Sequence, residues 1–482
     1  MTITFARSQL SIYARWLVLL TLLAWVLATT PLLPLLLLIA ALTATFLLLR
    51  WPWLIWVGIA AALPLTSGSK IGPASVTDLL LASAGALWFV DGVRRKTLRL
   101  HGSSTIVLFL VYIGVLYLSL LHAGNLGEAT IEMVKWVEVV LVLLLVRQMM
   151  PPQQAPWLVV ALLFGGVSQA ILGLYQFIFR IGPAWFIILG RFMRASGSFG
   201  QPNPYGGYLG LCLPVAVSLT LWAWTSLWQD RGKHARNWLW LLFASLSAGL
   251  IGAGLLASWS RGGWLGAIAA VGLVLVLRSR LAALTSAVII LFALVVMLLG
   301  SFQPGMIPAP ILARIQEIPA TFGLTDIVNQ PVNDDNFAVI ERVAHWVAAI
   351  RMWEQAPWLG VGPGNYATVY PSVRLPLWEE PLGHAHNIYL NTLAETGLVG
   401  LGVYLLLWLT ITRWVWRCFR QATQRQATWT AALALGVLGV IVHLSVHQIF
   451  DNLLVQGMYL HVGLWLAILA VEDKQNCLHS VE

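Results

Sequence analysis

"PLLPLLLLIAALTATFLLL", residues 31–49, carries no charge and shows no alternation of polar and apolar positions. A helix needs about 20 apolar residues to cross a hydrocarbon core of about 30 Å. A strand of a membrane barrel would instead show about ten residues alternating in polarity. The stretch therefore reads as a transmembrane helix. Comparable runs of about 15 to 25 residues recur along the 482-residue chain, which is 59% hydrophobic and 10% charged. Its mean hydropathy is +0.81, whereas roughly a quarter of the residues of a soluble domain carry charge. The fold class expected is all-α, a polytopic transmembrane helical bundle.

Apolar runs set against Gly, Pro and charged breaks place spans near 16–29, 31–49, 51–66, 75–91, 104–122, 129–147, 156–179, 204–228, 237–257, 262–278, 281–300, 386–412, 428–447 and 453–471. That makes about 12–14 helices, the first three interrupted by prolines at 31, 34, 52 and 64. The first 30 residues read as a signal anchor, since no polar mature domain follows. "DGVRRKTLRLHG", "QDRGKHARN", "RSR" and "RWVWRCFRQATQR" are basic short loops on one side, which marks that side as cytoplasmic. The net charge of +9 follows from such loops and does not call for nucleic acid. Cys212, Cys418 and Cys477 stand far apart and suggest neither a disulfide nor a metal site. Most of the 25 Trp residues fall near span ends and read as interfacial anchors.

The organisation expected is N-terminal helices over 1–300, an extracytoplasmic loop over 301–385, C-terminal helices over 386–471 and a cytoplasmic tail over 472–482. Within the loop, Val339, Val343, Trp346, Val347, Ile350 and Trp353 recur at helical spacing, with Glu341, Arg342, His345 and Arg351 between them. An amphipathic helix near 338–356 is predicted, lying on the outer membrane surface or over the bundle. "PWLGVGPGNY" ends it in a glycine-rich turn that reads as a lid.

Three arginine sites depart from the positive-inside pattern. Arg191 and Arg194 precede "ASGSFGQPNPYGG", and Arg261 lies in "SWSRGGW". They are either snorkelling anchors or phosphate ligands, since a guanidinium fork matches phosphate oxygens as an ammonium does not. The glycines of both segments also offer backbone N–H groups to an anion. Where a span starts near "GHAHNIYLNTLAETG", the positive helix pole keeps His386 neutral and able to accept a proton, with His384 as the weaker of the pair. Asn387, Asn391 and Glu395 follow at i, i+4 and i+8 as a polar stripe, and Glu395 is either a hydrogen-bond post or part of a wet cavity. No Asp/His cluster stands out along the chain, so no metal and no cofactor are expected.

Four segments in order, "RASGSFGQPNPYGGYLG", "ASWSRGGWLG", "RVAHWVAAIRMWEQAPWLGVGPGNY" and "GHAHNIYLNTLAETGLVGL", resemble the motifs of the O-antigen ligase and polymerase superfamily. The resemblance covers roughly residues 160 to 470 and reaches the first 150 only as apolar helices. It implies a bundle related to the GT-C type and a large extracytoplasmic loop before the last helices. It also implies a membrane glycosyltransferase of the bacterial inner membrane that takes its glycan from undecaprenyl diphosphate, with the active site on the extracytoplasmic side. Arg194, Arg261 and His386 take the family's catalytic positions, and Arg191, His384, Asn203, Asn387 and Glu395 are expected to bind substrate. The mechanism expected is inverting and metal-independent. The partners implied are the lipid-linked glycan, a lipid or glycan acceptor and the membrane lipids. The acceptor stays open between lipid A-core, a glycan repeat and protein. Some relatives are named inorganic-carbon transporters, but the chain has no internal repeat and few deep acids.

Overall fold

The computed structural model describes residues 17, 18, 21, 31–288 and 337–478, with breaks at 67–68, 72–73, 99–103, 189, 230–231, 233, 280, 282 and 286–287. The expected spans at 16–29 and 281–300 and the Pro-rich 301–336 therefore lie wholly or largely outside the described residues. What is described is helical apart from two hairpins of two-residue strands. The helices are α1 (Leu32–Arg50), α2 (Leu54–Thr66), α3 (Val76–Arg95), α4 (Ser104–Ser119), α5 (Leu126–Met149), α6 (Ala155–Phe179), α7 (Pro202–Gln229), α8 (Ala235–Ala257) and α9 (Arg261–Arg278). After the break come α10 (Phe337–Gln355), α11 (Tyr366–Val373), α12 (Ile388–Gln424), α13 (Thr428–His447) and α14 (Met458–Leu478). Strands β1 (Lys70–Ile71) and β2 (Ala74–Ser75) pair antiparallel, as do β3 (Ile187–Ile188) and β4 (Phe192–Met193).

Eight helices among the described residues are long and apolar enough to cross a membrane, and shorter apolar helices, α2 and the segment around α4, accompany them. The chain is a multi-pass membrane protein. Its outer helices expose bulky apolar side chains, such as Leu37, Phe46, Phe179 and Ile268, where hydrocarbon takes the place of water. The centre is α7 against α13, where glycines of α7 let the helices close in. Helix ends at the membrane edge need local partners for their N–H groups. Ser75 and Asp78 form a capping box on α3, Asn125 caps α5, Ser260 caps α9 and Asn387 caps α12.

Three findings change the sequence reading. Basic residues assigned to loops mostly sit on helices: α3 runs through Arg94 and Arg95, and α12 runs on to Gln424. Trp56, Trp136, Trp222 and Trp465 are buried in the core, so these four are packing residues. Helix α10 packs on α12, and its buried side chains are Val339, Ile340, Ala344, His345, Ala348, Ala349 and Met352, with the Val343/Trp346/Val347/Ile350 side more exposed. Small alanines allow the closer approach, so bulk alone does not mark the buried side.

The segments that follow α2, α4, α6, α8 and α13 come together at one end with α10 and the start of α12. Ser198 Oγ donates to Pro64 O, Gln456 Nε2 to Phe199 O, Asn125 N–H to Asn365 Oδ1, and Ile388 N–H to Gln448 O.

Candidate active site

The arginine half of the site is built where the chain returns from β4 toward α7. Arg194 N–H donates to Phe186 O and Ala195 N–H to Ala257 O at 2.9 Å, which lashes this segment to the turn between α8 and α9. The Arg194 guanidinium follows, donating from Nε to Ser258 O at 3.0 Å and from Nη2 to Asn203 Oδ1 at 3.1 Å. Arg261 opens α9 at the same turn, and Ser260 Oγ accepts the Gly263 N–H. Arg194, Asn203 and the Arg261 segment are thus brought together. Arg191 lies in the β3–β4 turn, exposed, with its guanidinium carbon 4.4 Å from the Phe192 ring centroid.

Most of the backbone donors expected of "SGSFG" are already occupied. Ser196 and Gly197 N–H donate to Gln176 Oε1 at 3.0 and 2.8 Å, and Ser198 N–H donates to Gln169 Oε1 at 2.9 Å. Two glutamines within an apolar run took these groups, because buried N–H groups must find acceptors.

The histidine half is set by the turn into α12. Asn387 Oδ1 accepts N–H from Tyr389 and Leu390, Asn391 Oδ1 accepts Ala385 N–H, and His386 adopts a left-handed φ of 50°. In that turn His386 N–H donates to His384 Nδ1 at 3.0 Å. His384 is therefore held in place through Nδ1. Asp451, between α13 and α14, puts Oδ1 at 3.4 Å from His386 Nδ1 and 3.8 Å from His384 Nε2. These three side chains place their ligand-type atoms within 4.8 Å of one another. The Asp/His cluster not seen along the chain thus exists in space, with a donor set that suits a transition-metal ion.

A third histidine arrives from α10. Tyr366 O–H donates to His345 O at 3.0 Å, so its oxygen accepts from His345 Nδ1, also at 3.0 Å. The His345 ring stacks on Tyr370 at 4.7 Å and lies edge-on to His386 at 5.6 Å. Burial and the neighbouring His386 pull His345 down to about 3 and His384 down to about 4, so both are neutral at pH 7. Burial opposes the ionisation of Asp451, but His386, His384 and His447 outweigh it and hold its carboxyl below the usual range.

The two halves meet through the end of α13. A Cβ on Gly262 would lie 2.7 Å from His447 Cδ2 and 3.4 Å from Phe450 Cβ, so the start of α9 presses directly on the residues that lead to Asp451. Arg342 Nε donates to Phe450 O at 3.3 Å, adding a guanidinium to this end. Glu395 has a different setting: its Oε1 accepts Tyr366 N–H at 3.1 Å, while Val361 and Gly362 N–H donate to the Ala394 and Glu395 carbonyls. It clamps the glycine-rich segment 360–366 to α12.

Sequence reading missed Asp451, His345, Arg342 and Tyr366. Asp451 carried a usable signal, a lone acid at the rim between two apolar spans, where an ionisable group needs a reason. His345 carried only a misleading one, its place on the less bulky face of α10.

Residues 246–405 match the O-antigen ligase family. No curated protein matches the chain. The matched stretch begins within α8 and ends within α12, so it holds Arg261, His345, His384, His386 and Glu395, with Arg194 before it and Asp451 after it. Residues 246–405 of this membrane protein form an O-antigen ligase family domain.

Proposed function

We propose that the protein is a glycosyltransferase that moves a glycan from undecaprenyl diphosphate to an acceptor hydroxyl on the extracytoplasmic face, for cell-surface polysaccharide. The observation that carries this reading is the Asp451–His386 contact beside a turn that holds two arginines. His384 Nδ1 accepts a backbone N–H, so neutral His384 carries its proton on Nε2, toward Asp451, and has no lone pair to offer. His386 directs Nδ1 at Asp451, which favours the tautomer with the proton there and leaves the Nε2 lone pair as the base.

In the reaction, His386 Nε2 takes the acceptor O–H proton as that oxygen bonds to the anomeric carbon. The bond from that carbon to the diphosphate oxygen breaks, and its electron pair leaves with undecaprenyl diphosphate. Attack opposite the leaving group inverts the anomeric configuration. Arg194 and Arg261, with Arg342, hold the diphosphate and stabilise the charge it gains. Asp451 stabilises the imidazolium, the role a buried carboxylate plays beside a catalytic histidine.

The test is transfer by purified protein given a lipid-linked glycan and membrane-extracted acceptors. His386→Ala should lower turnover by roughly 10²- to 10⁴-fold with donor binding kept. A His386→Ala protein with full turnover ends the proposal.

A further inference from the structure

Beside His384, Gly383 and Asn452 lies a cavity of about 140 Å³ between α4, α5 and α12. Its walls include Glu128, Glu132 and Lys135 of α5, with Tyr112, Trp136 and Tyr404 farther along. Glu132 and Lys135 pair at 2.5 Å, and each side chain is 24% exposed. Carboxylates only accept hydrogen bonds, an ammonium only donates, and tyrosine hydroxyls do both. That mixture beside aromatic surface matches a pyranose ring, whose hydroxyls do both and whose C–H faces pack on aromatic rings. At about 10–15 Å³ for each water centre, the space holds on the order of ten waters, enough for one sugar ring and too small for two.

The contacts give this cavity a direction. From the start of α9 they run through Gly262 to His447, along the turn in which Phe450 N–H donates to His447 O and Asp451 follows, and from Asp451 Oδ1 at 3.8 Å to His384, which forms part of the cavity wall. The cavity and the arginine turn thus lie at opposite ends of this chain of contacts. In-line displacement requires the acceptor on the side away from the leaving diphosphate. Building on the transferase reading, we infer that this cavity is the acceptor subsite and holds the single sugar ring that bears the attacking hydroxyl, with Glu128 and Glu132 accepting from its other hydroxyls.

The test uses full-length protein in nanodiscs, with methyl glycosides of glucose, galactose and N-acetylglucosamine as probes, read by saturation transfer from aromatic protons to the sugar. At least one glycoside should bind, and Glu132→Gln and Glu128→Gln should each weaken it about tenfold or more, the scale of losing a charge-assisted hydrogen bond. Glu128 is exposed on the rim and outside the Glu132–Lys135 pair, so its variant tests the cavity even where Glu132→Gln does not fold. In the transfer assay both variants should raise the acceptor KM and leave the donor KM unchanged. No glycoside binding to the wild type, or wild-type affinity in the variants, overturns the inference. A raised donor KM in place of a raised acceptor KM overturns it too, by giving the cavity to the donor sugar. Binding that depends on both glutamates without any transfer keeps the sugar site and removes the transferase reading; transfer with unchanged acceptor KM does the reverse.

Discussion

Asp451 Oδ1 lies within 4 Å of a nitrogen of both His384 and His386, so its replacement tests the proposed proton transfer at one atom. Asp451→Asn keeps the shape and loses the charge that holds the His386 tautomer. Turnover should fall by about 10²- to 10⁴-fold with donor KM little changed. His384→Ala loses a brace of the turn and no lone pair, so its turnover should fall by less than roughly tenfold in the same assay. Equal losses in His384→Ala and His386→Ala would return the base to an open choice between them. Chelation distinguishes the proton-transfer role of His384, His386 and Asp451 from metal ligation. The proposed mechanism expects unchanged transfer with excess chelator, whereas loss followed by rescue with a divalent ion would make the three side chains ligands. At the arginine turn, Arg261→Lys keeps charge and loses the fork, and kcat/KM should drop by about 1.5–3 kcal/mol, roughly 10- to 150-fold. Arg261 and His386 were legible in sequence because glycines and an N-cap asparagine frame them. Asp451 was not, since its partners come from a segment 65 residues earlier and only the return of α13 brings them together.

Helix α12 shows how an element can be read correctly at its start and wrongly beyond it, since it continues past 412 to Gln424. Its start at Asn387 and its apolar course were visible in the sequence, but its bend was not. Gly397 has φ +66° inside the helix, and Leu398 and Val399 N–H donate outside it, to Pro357 O and Trp358 O. A Cβ on Gly397 would lie 2.3 Å from the Trp358 carbonyl carbon. Gly397→Ala therefore combines strain of about 1–3 kcal/mol, because φ +66° with ψ −168° is essentially restricted to glycine, with overpacking of about 1–3 kcal/mol. Its thermal midpoint should fall by several degrees, read by tryptophan fluorescence, and an unchanged midpoint would mean that segment 357–366 can move away at no cost. For α10 the helical period was legible but the buried side was not: alanines and His345 are buried there because close approach favours small residues, a preference that hydrophobicity alone does not register.

At the scale of the whole molecule, the order of spans was legible because a length of about 20 apolar residues is set by the bilayer. What joins the ends of those spans was not, because Gln169, Gln176 and Asn365 act through partners far away in sequence. The basic ends of the helices predict which end faces the cytoplasm. In a Cys477→Ser background, with Cys212 and Cys418 buried, Glu379→Cys should label from outside intact cells and Arg425→Cys should not. The reverse pattern would put the site in the cytoplasm, away from any flipped lipid-linked glycan. The most direct test of the central claim is the state of the lipid carrier in the host after deletion of the gene. Undecaprenyl diphosphate should accumulate its glycan while surface polysaccharide declines, with recovery from the wild-type chain and none from His386→Ala. Unchanged carrier-linked and surface glycans in the deletion strain would contradict the account.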